Sequence, residues 1–287
     1  RQLFAPATPL GFRSPSTFMD SVMFYMTPQG STSVYADQFR VLTHNPFETM
    51  PATTGFEADG GYIDGQTVVG KGLPEDGWTG NWTAVNSSGT AIVQSVYKRS
   101  GDMALELGLS GATGTQEIYR EFADQSGVFR VDYDVMIAEE IDTRCYTYVG
   151  QDSAASSNNA AAMVSFRENG NIMIGDGAGD GNRIDRDSGM DWVAGEWLHV
   201  SQEIDVPNQV FNVWIDGVKC TTNVNDPLGY GFRCAPTSFL DDIKFLVTDG
   251  ATRTGTFYFD NIRVTPEPGA LTLLCIGIAM LLFRRSR

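Results

Sequence analysis

The sequence has few of the residues that bind transition metals and few positive charges. It holds two His and four Cys in 287 residues, and no two Cys are close enough to form a Cys-x-x-Cys pair. Structural zinc sites need four Cys or His ligands at short spacings, so we expect no zinc centre. Acidic residues outnumber basic ones by 35 to 20, for a formal charge of -15. That charge repels phosphate backbones, so we expect no nucleic-acid partner.

A helical repeat of apolar residues is missing before residue 269. Short apolar runs instead recur roughly every 8 to 15 residues and are separated by Gly, Pro, Asn and Asp, which is typical of β-strands joined by turns. The predicted strands are 91–97, 103–109, 116–122, 128–137, 161–166, 171–174, 197–204 and 210–215. This spacing predicts an all-β fold, an antiparallel jelly-roll sandwich.

Two stretches of the chain, 17–41 and 237–264, repeat each other. Upstream of each copy lies a further match, with PLGFR ending at Arg13 and PLGYGFR ending at Arg233. An internal repeat indicates tandem domains. We therefore interpret 1–45 as the closing strands of an upstream repeat whose beginning is missing, which would make the chain a fragment. Residues 46–54 are Pro- and Thr-rich and are predicted to be a linker, followed by a complete domain over 55–265.

The segment 195–220, GEWLHVSQEIDVPNQVFNVWIDGVKC, resembles the laminin G-like and concanavalin A-like group. In that group a strand carrying Trp-x-His-Val is followed by a strand that ends in Asp-Gly. The resemblance implies a jelly roll of this type. We expect Trp197 and Trp214 in the sandwich core and a type I′ turn at Asp216 and Gly217.

The C-terminal 23 residues combine a Pro-Glu-Pro triplet, an apolar run at 270–283 and a terminal Arg cluster. The run would form a helix of about 21 Å, shorter than a hydrocarbon core of about 30 Å. The Arg cluster would keep that end cytoplasmic. This tail resembles the PEP-CTERM sorting signal, with Pro266, Glu267, Pro268, Arg284, Arg285 and Arg287 as its motif residues.

The sorting resemblance implies an exported protein of a Gram-negative-type bacterium, found at the cell surface or in the extracellular matrix. It implies an exosortase as processing partner and contact with the membrane only through the transmembrane segment 270–283. The domain before Pro266 would lie outside the cytoplasm.

Some concanavalin-like proteins are glucanases with a Glu-x-Asp-x-x-Glu strand. Two stretches begin in the same way, at Glu140 and Glu203, but Cys145 and Asn208 stand where the second Glu is needed. A retaining glycosidase needs two carboxylates about 5 Å apart, one of them the proton donor. We therefore expect no enzyme activity, and a glycoside hydrolase with a non-standard site is the distant alternative.

Exposed aromatic side chains could hold neutral glycans by stacking on sugar rings. The candidates are those that do not fit the core register: Tyr146, Tyr148, Trp192, Trp78 and Trp82. For Trp78 and Trp82 the favoured alternative is that they fix the long loop to the sandwich, because most Trp side chains are largely buried. The predicted role is glycan or matrix binding without catalysis, with a purely structural spacer as the alternative.

The opening GFE and the closing DNI also resemble jelly-roll binding modules in which a Glu and an Asp share a structural calcium ion. The resemblance implies Ca²⁺ at Glu57 and Asp260, with Asp102 as third ligand. The alternative is that Asp260 caps a turn and Glu57 is solvated. Cys220 and Cys234 lie fourteen residues apart and are predicted to form a disulfide outside the cytoplasm.

Overall fold

The computed structural model describes residues 52–72, 77–111, 114–139, 141–152, 156–221, 229–248 and 254–266. Within these ranges no helix is long and apolar enough to cross a membrane. The repeat copy at 1–45 and most of the predicted tail lie outside the described residues, including the segment 270–283 and the motif residues Glu267, Pro268, Arg284, Arg285 and Arg287.

Apart from two short 3-10 helices, Ala58–Gly60 and Ser157–Asn159, the elements are β-strands. The strands in chain order are β1 Ala52–Thr54, β2 Thr83–Ser87, β3 Thr90–Gln94, β4 Ala104–Ser110, β5 Gln116–Gln125, β6 Val128–Ile137, β7 Arg144–Gly150, β8 Ala160–Phe166, β9 Asn171–Gly177, β10 Arg183–Asp191, β11 Trp197–Asp205, β12 Val210–Ile215, β13 Val218–Lys219, β14 Tyr230–Gly231, β15 Leu240–Thr248 and β16 Thr254–Pro266.

These strands form two antiparallel sheets that share one hydrophobic core. The nine-stranded sheet runs β13-β12-β11-β6-β16-β4-β3, with β1 also beside β16 and β14 also beside β12. The seven-stranded sheet runs β10-β9-β8-β7-β15-β5-β2. The predicted all-β antiparallel sandwich is confirmed.

Alternation of apolar and polar residues decides which side chains enter the core. In β6 the apolar set is fully buried, as in Phe129, Val131 and Tyr133, while Arg130 and Asp132 face outward. This matches the predicted period of two. The predicted turn after β12 is also confirmed, because Asp216 and Gly217 have φ of 48° and 78°, the two positive angles of a type I′ turn.

The prediction that Trp197 and Trp214 lie in the core is wrong. Both are only partly buried and face away from the core. Their neighbours Leu198 and Val213 have the opposite parity on β11 and β12 and fill the core. Strand parity therefore outweighs the preference of a large indole for burial.

The predicted linker at 46–54 is wrong at its end, because Ala52–Thr54 is strand β1 and pairs with Ile262–Val264 of β16. Among the described residues, the segment between β1 and β2 contains no strand and contributes buried aromatic anchors, among them Phe56 and Tyr62. The Tyr62 hydroxyl accepts hydrogen bonds from Arg120 Nη1 at 3.2 Å and from Trp82 Nε1 at 3.1 Å.

The loop at 98–102, between β3 and β4, is held by Glu57, just after β1, and by Asp260 on β16. Asp260 Oδ2 accepts hydrogen bonds from the backbone N–H groups of Arg99 and Ser100, both at 3.0 Å. Glu57 accepts the N–H of Asp102 with both carboxylate oxygens at 3.0 Å. Two carboxylates from opposite ends of the domain therefore hold one loop.

Gly101 is required in this loop for two reasons. Its φ of +59° disfavours a side chain, and an added Cβ would lie 1.8 Å from Glu57 Oε1. We predict that Gly101→Ala lowers the free energy of unfolding by about 1–3 kcal/mol, because it strains the backbone and displaces the Glu57 carboxylate. Urea denaturation measures the loss.

Gly195→Ala is the matched control for Gly101→Ala. Gly195 has φ of +78°, and an added Cβ meets nothing within 4 Å. It should lose only the backbone contribution, about 1 kcal/mol. Equal losses in the two variants would show that the Glu57 contact contributes nothing.

An acidic cluster lies at the start of β15. Burial, together with the neighbouring charges of Asp242, Asp124, Asp152 and Glu121, raises the pKa of Asp241 to about 7. Within the described part of the chain, Asp241 Oδ1 is buried and has no hydrogen-bond partner. The folded domain therefore binds a proton at Asp241 more tightly than the unfolded chain does.

We predict that the stability of the domain falls as pH rises from about 4 to about 7, since the folded state holds the extra proton over that range. Asp241→Asn should flatten this slope and raise Tm near pH 7.5, by roughly 2–4 °C for each 1 kcal/mol relieved. At pH 4 the two proteins should melt alike. Thermal melts across pH test this, with the exposed Asp59→Asn as control. A variant slope equal to that of the unchanged chain would refute it.

Candidate functional site

The outer face of the seven-stranded sheet carries a second apolar cluster, separate from the main core. Its members are Tyr146, Tyr148, Ala160, Met163 and Leu246. The two tyrosine rings stack with centroids 5.8 Å apart and an interplanar angle of 7°. We call this surface the tyrosine face.

The tyrosine face is closed over by its surroundings rather than open to solvent. Tyr146 and Tyr148 are 4% and 2% exposed although they point away from the main core. The cations that lie over their rings account for this. Arg167 and Arg183 place their Cζ atoms 5.2 and 5.6 Å from the centroid of Tyr146, and Lys244 Nζ lies 5.0 Å from that of Tyr148.

Lys244 is the most deeply buried of these cations, with no exposed surface. Its Nζ lies 2.8 Å from Glu117 Oε1 and donates to Ser157 Oγ at 3.2 Å. A buried charge that is paired and hydrogen-bonded in this way is tolerated in a low-dielectric interior. Lys244 is therefore part of the fixed base of the tyrosine face.

Beside the tyrosines lies a pocket of about 310 Å³, lined by Gly181, Asn182, Arg183, Asp185 and Arg233. We call it the guanidinium pocket. Arg183 Nε donates to Asp185 Oδ1 at 2.7 Å, and Arg167 bonds to the other oxygen of the same carboxylate. Arg233 forms no ion pair within the described ranges. One carboxylate thus pairs with two guanidinium groups in this part of the face, and the third lies beside them without an ion pair.

The position of Arg233 is fixed by its backbone and by two of its nitrogens. Its N–H donates to Ala161 O at 3.1 Å, and its carbonyl accepts from Gly181 N at 2.8 Å. Its Nε donates to Gly181 O at 2.8 Å and its Nη2 bonds to Asn158 Oδ1. Nη1 is buried and has no hydrogen-bond partner among the described residues.

The electrostatics of the pocket follow from burial. Burial lowers the pKa of Arg233, and the nearby charge of Arg183 lowers it further. Burial also raises the pKa of the Tyr148 hydroxyl to about 12, against the opposing effect of Arg183. Tyr148 is therefore a neutral phenol at physiological pH, able to donate a hydrogen bond.

The five predicted glycan-stacking aromatics are all buried, so the prediction that they form exposed platforms is wrong. Tyr146 and Tyr148 do lie on the candidate face, but under cations. The indole Nε1 of Trp192 donates to Arg167 O at 2.9 Å, and that of Trp78 donates to Thr53 O at 2.9 Å. Trp78 and Trp82 fix the long N-terminal loop to the sandwich, as the favoured alternative predicted.

Two of the three predicted calcium ligands converge. Glu57 Oε1 and Asp260 Oδ1 each lie within 4 Å of the same point, the position of a Cβ on Gly55. Asp102 does not add its carboxylate, since no group of three such side chains that could hold a metal occurs in the described ranges. It turns its backbone N–H toward Glu57 instead, so its assignment as a side-chain ligand is wrong.

The donor set at Asp260 fits a cation in part. Asp260 has no exposed surface, and burial raises its pKa in spite of three backbone N–H donors. The negative charge of Asp134 raises that pKa further. A buried carboxylate beside a second carboxylate favours a bound cation.

The predicted disulfide is absent, since Cys220 and Cys234 are free thiols. The Cys220 N–H donates to Val213 O of the nine-stranded sheet, whereas the Cys234 N–H donates to Ala160 O of the seven-stranded sheet. The two cysteines are thus attached to opposite sheets. The fourteen-residue spacing between the two cysteines in the sequence does not show which sheet each one lies beside.

The two partial glucanase motifs supply no described catalytic pair. Glu203 lies on the outer face of the nine-stranded sheet, opposite Arg130, and Asn208 bonds to Asp205. Glu140 lies outside the described residues. The expected acid/base partner is therefore lacking at Glu203.

The outer face of the nine-stranded sheet is the second candidate surface. Trp214 is flanked there by Arg130 and Lys219, at 5.6 and 5.3 Å from its ring centroid. His199 Nδ1 lies 2.9 Å from Asp134 Oδ1. These residues do not line the guanidinium pocket, and Trp214 and His199 are partly exposed.

No protein-family model and no curated protein sequence matches the chain. Solved structures with a similar arrangement include a sialidase, at 14% identity and a TM-score of 0.48, covering 64% of this chain and 17% of the sialidase. Another is the endo-β-1,4-glucuronan lyase of the fungus Trichoderma reesei, at 14% identity and TM-score 0.46, covering 67% of this chain and 92% of the lyase.

A third similar structure is the globular domain of T. cruzi calreticulin, at 11% identity and a TM-score of 0.44, covering 67% of this chain and 86% of that domain. At such identities, and with TM-scores below 0.5, these likenesses assign no activity. The description of this chain as a sandwich of two antiparallel sheets rests on its own strand pairing.

Proposed function

We propose that this chain is a non-catalytic glycan- or matrix-binding protein, exported to the bacterial cell surface or extracellular matrix. In this proposal the sandwich is a jelly roll of the concanavalin A-like and laminin G-like type. The guanidinium pocket is the observation that carries the binding role. It is a polar cavity whose fixed donors and acceptors suit sugar hydroxyls and substituents.

The rigidity of the pocket supports this role. Arg183 lies on strand β10, and Arg233 is held by backbone bonds to Ala161 and Gly181. Donors that are already in place lose little conformational entropy on binding, which favours recognition of a flexible ligand such as a glycan.

A purely structural role as a spacer is the alternative. The burial of all five predicted aromatics favours it, since no exposed stacking platform stands on the tyrosine face. The two roles differ in one measurable property, which is affinity for polysaccharide.

A pocket-filling variant tests the binding role. We predict that Asn182→Trp, at an exposed residue of the pocket lining, weakens binding in a polysaccharide array by at least about tenfold, because the indole fills the cavity. Val218→Trp, at an exposed residue of the nine-stranded sheet, is the control and should bind normally. Absence of binding to every polysaccharide would favour the spacer role.

The proposed localisation and processing rest on the tail. The PEP-CTERM resemblance of 265–287 supports an exosortase partner, and a short apolar run ended by Arg residues is a poor permanent anchor. We predict that the mature protein lacks the tail. Mass spectrometry of C-terminal peptides from surface material should find none that reaches Arg287, whereas recovery of such peptides would indicate a retained anchor.

A structural Ca²⁺ held by Glu57 and Asp260 is part of the proposal. The convergence of these carboxylates beside Gly55 and the burial of Asp260 support it. When bound, the ion would neutralise both carboxylates and tie β16 to the start of the domain.

We predict that Ca²⁺ raises Tm, since an ion that binds only the folded state stabilises it by about 2.7 kcal/mol at a hundredfold excess over Kd. Thermal melts with Ca²⁺ and with chelator measure the shift. Glu57→Gln should remove most of it, and Glu203→Gln, on the outer face of the nine-stranded sheet, should not. An unchanged Tm would refute the calcium site.

A further inference from the structure

The guanidinium pocket has an unusual balance of charge for this protein. The chain has 35 acidic residues against 20 basic ones, so carboxylates are plentiful. Among the described residues, however, Asp185 is shared between Arg167 and Arg183, and Arg233 has no carboxylate partner. The folded chain has therefore not neutralised this site internally.

The unsatisfied atom is Nη1 of Arg233. A buried donor of a charged group that has no partner destabilises the folded state, because the group has lost its hydrogen bonds to water. The other two nitrogens of Arg233 are occupied by Gly181 O and by Asn158, which fix the plane of the guanidinium. An anionic oxygen from outside the chain would satisfy Nη1 after a small shift of the side chains that cover it, because this atom has no exposed surface in the structure.

The internal repeat marks the same residue. The upstream match PLGFR ends at Arg13, and the second match PLGYGFR ends at Arg233, so the two arginines take the same place. The neighbouring Cys234 has no such counterpart, because Ser14 takes its place. Each copy of the repeat thus keeps an arginine at this position, although its surroundings differ.

The lining also indicates the kind of molecule that carries the anion. Asp185 can accept hydrogen bonds from hydroxyl groups, and the exposed Asn182 can both donate and accept. Arginine binds carboxylates through two nitrogens in a fixed plane. A net charge of -15 opposes any anionic ligand at long range, so recognition has to come from the short-range contacts of this pocket.

We infer that the guanidinium pocket binds the anionic substituent of an acidic polysaccharide, with Arg233 and Arg183 holding a carboxylate of a uronate residue. This inference rests on the proposed glycan-binding function and names its ligand class. Hydroxyl groups of the same sugar bond to Asp185 and Asn182. Tyr148 and Lys244 form the floor of the site and do not contact the sugar ring face.

Isothermal titration of the intact chain with three oligosaccharides tests the inference: a β-1,4-linked glucuronate oligomer, the neutral β-1,4-glucose oligomer of equal length, and a sulfated derivative of that glucose oligomer. We expect the glucuronate oligomer to bind at least about tenfold more tightly than the neutral one, because of the charge-assisted hydrogen bonds to arginine. Tighter binding of the sulfated oligomer would overturn the assignment to a carboxylate.

Three variants examine the pocket, and their thermal melts report on folding. Arg233→Gln and Arg183→Gln should each weaken uronate binding about tenfold and weaken binding of the neutral oligomer much less, because only the uronate loses a charge-assisted hydrogen bond. Asn182→Asp keeps both arginines but adds a negative charge to the pocket. It should also weaken uronate binding, because the new carboxylate repels that of the uronate. Lys219→Gln removes one positive charge from the exposed edge of the other sheet and is the matched control.

The possible outcomes separate this inference from the function on which it rests. Selective loss of uronate binding in the pocket variants, with Lys219→Gln unaffected, supports it. Equal affinity for the neutral and uronate oligomers, or equal effects of Arg233→Gln and Lys219→Gln, overturns the inference while glycan binding stands. Absence of binding to every oligomer overturns both.

Discussion

The sandwich depends on the pairing of β16 with three strands from distant parts of the chain. It pairs with β6 on one side and with β4 and β1 in succession on the other. The bulge in β16 at Asp260 is what allows this. It buries a carboxylate that must be satisfied by the loop at 98–102, and that loop in turn accepts only a glycine at position 101. The junction between β16 and the start of the domain is therefore held by the hydrogen bonds of a buried carboxylate as well as by hydrophobic contacts.

The same physical demand shapes the tyrosine face. Charged groups that are buried on the outside of a sheet must be paired, and Lys244 and Arg167 are paired with Glu117 and Asp185. Arg233 is the exception, since one of its nitrogens is buried without a partner in the described ranges. A rigid site with one open donor differs from an ordinary surface ion-pair network, whose members satisfy one another. This difference is why we propose a binding role for the face.

Sequence patterns predicted the fold well, because strand alternation and turn chemistry are local properties. The strands 128–137 and 210–215 and the turn at Asp216 and Gly217 follow from period two and from the need for positive φ. Strand parity also determines that Trp197 and Trp214 face away from the core. The pattern in β11 and β12 already held that information, but the size of the indoles suggested the core instead.

The candidate site was less accessible from the sequence. Tyr146 and Tyr148 were expected outside the core register and do lie outside the main core, but their burial depends on Arg167, Arg183 and Lys244, which come from three other strands or their ends. No spacing rule joins residues so far apart in the chain. The disulfide prediction for Cys220 and Cys234 was wrong for the same reason, because the sheet beside which each cysteine lies is decided by tertiary structure. One signal was present, namely the recurrence of arginine at 13 and 233 in the internal repeat.

The central claim is that the ligand binds on the outer face of the seven-stranded sheet. Nuclear magnetic resonance of side-chain N–H groups during titration with a glucuronate oligosaccharide tests it most directly, because arginine Nε and tryptophan Nε1 report on opposite faces. The account predicts shifts at Arg183 and Arg233, with the signals of Trp197 and Trp214 unchanged. Shifts confined to Trp197 and Trp214, with both arginines unmoved, would contradict it.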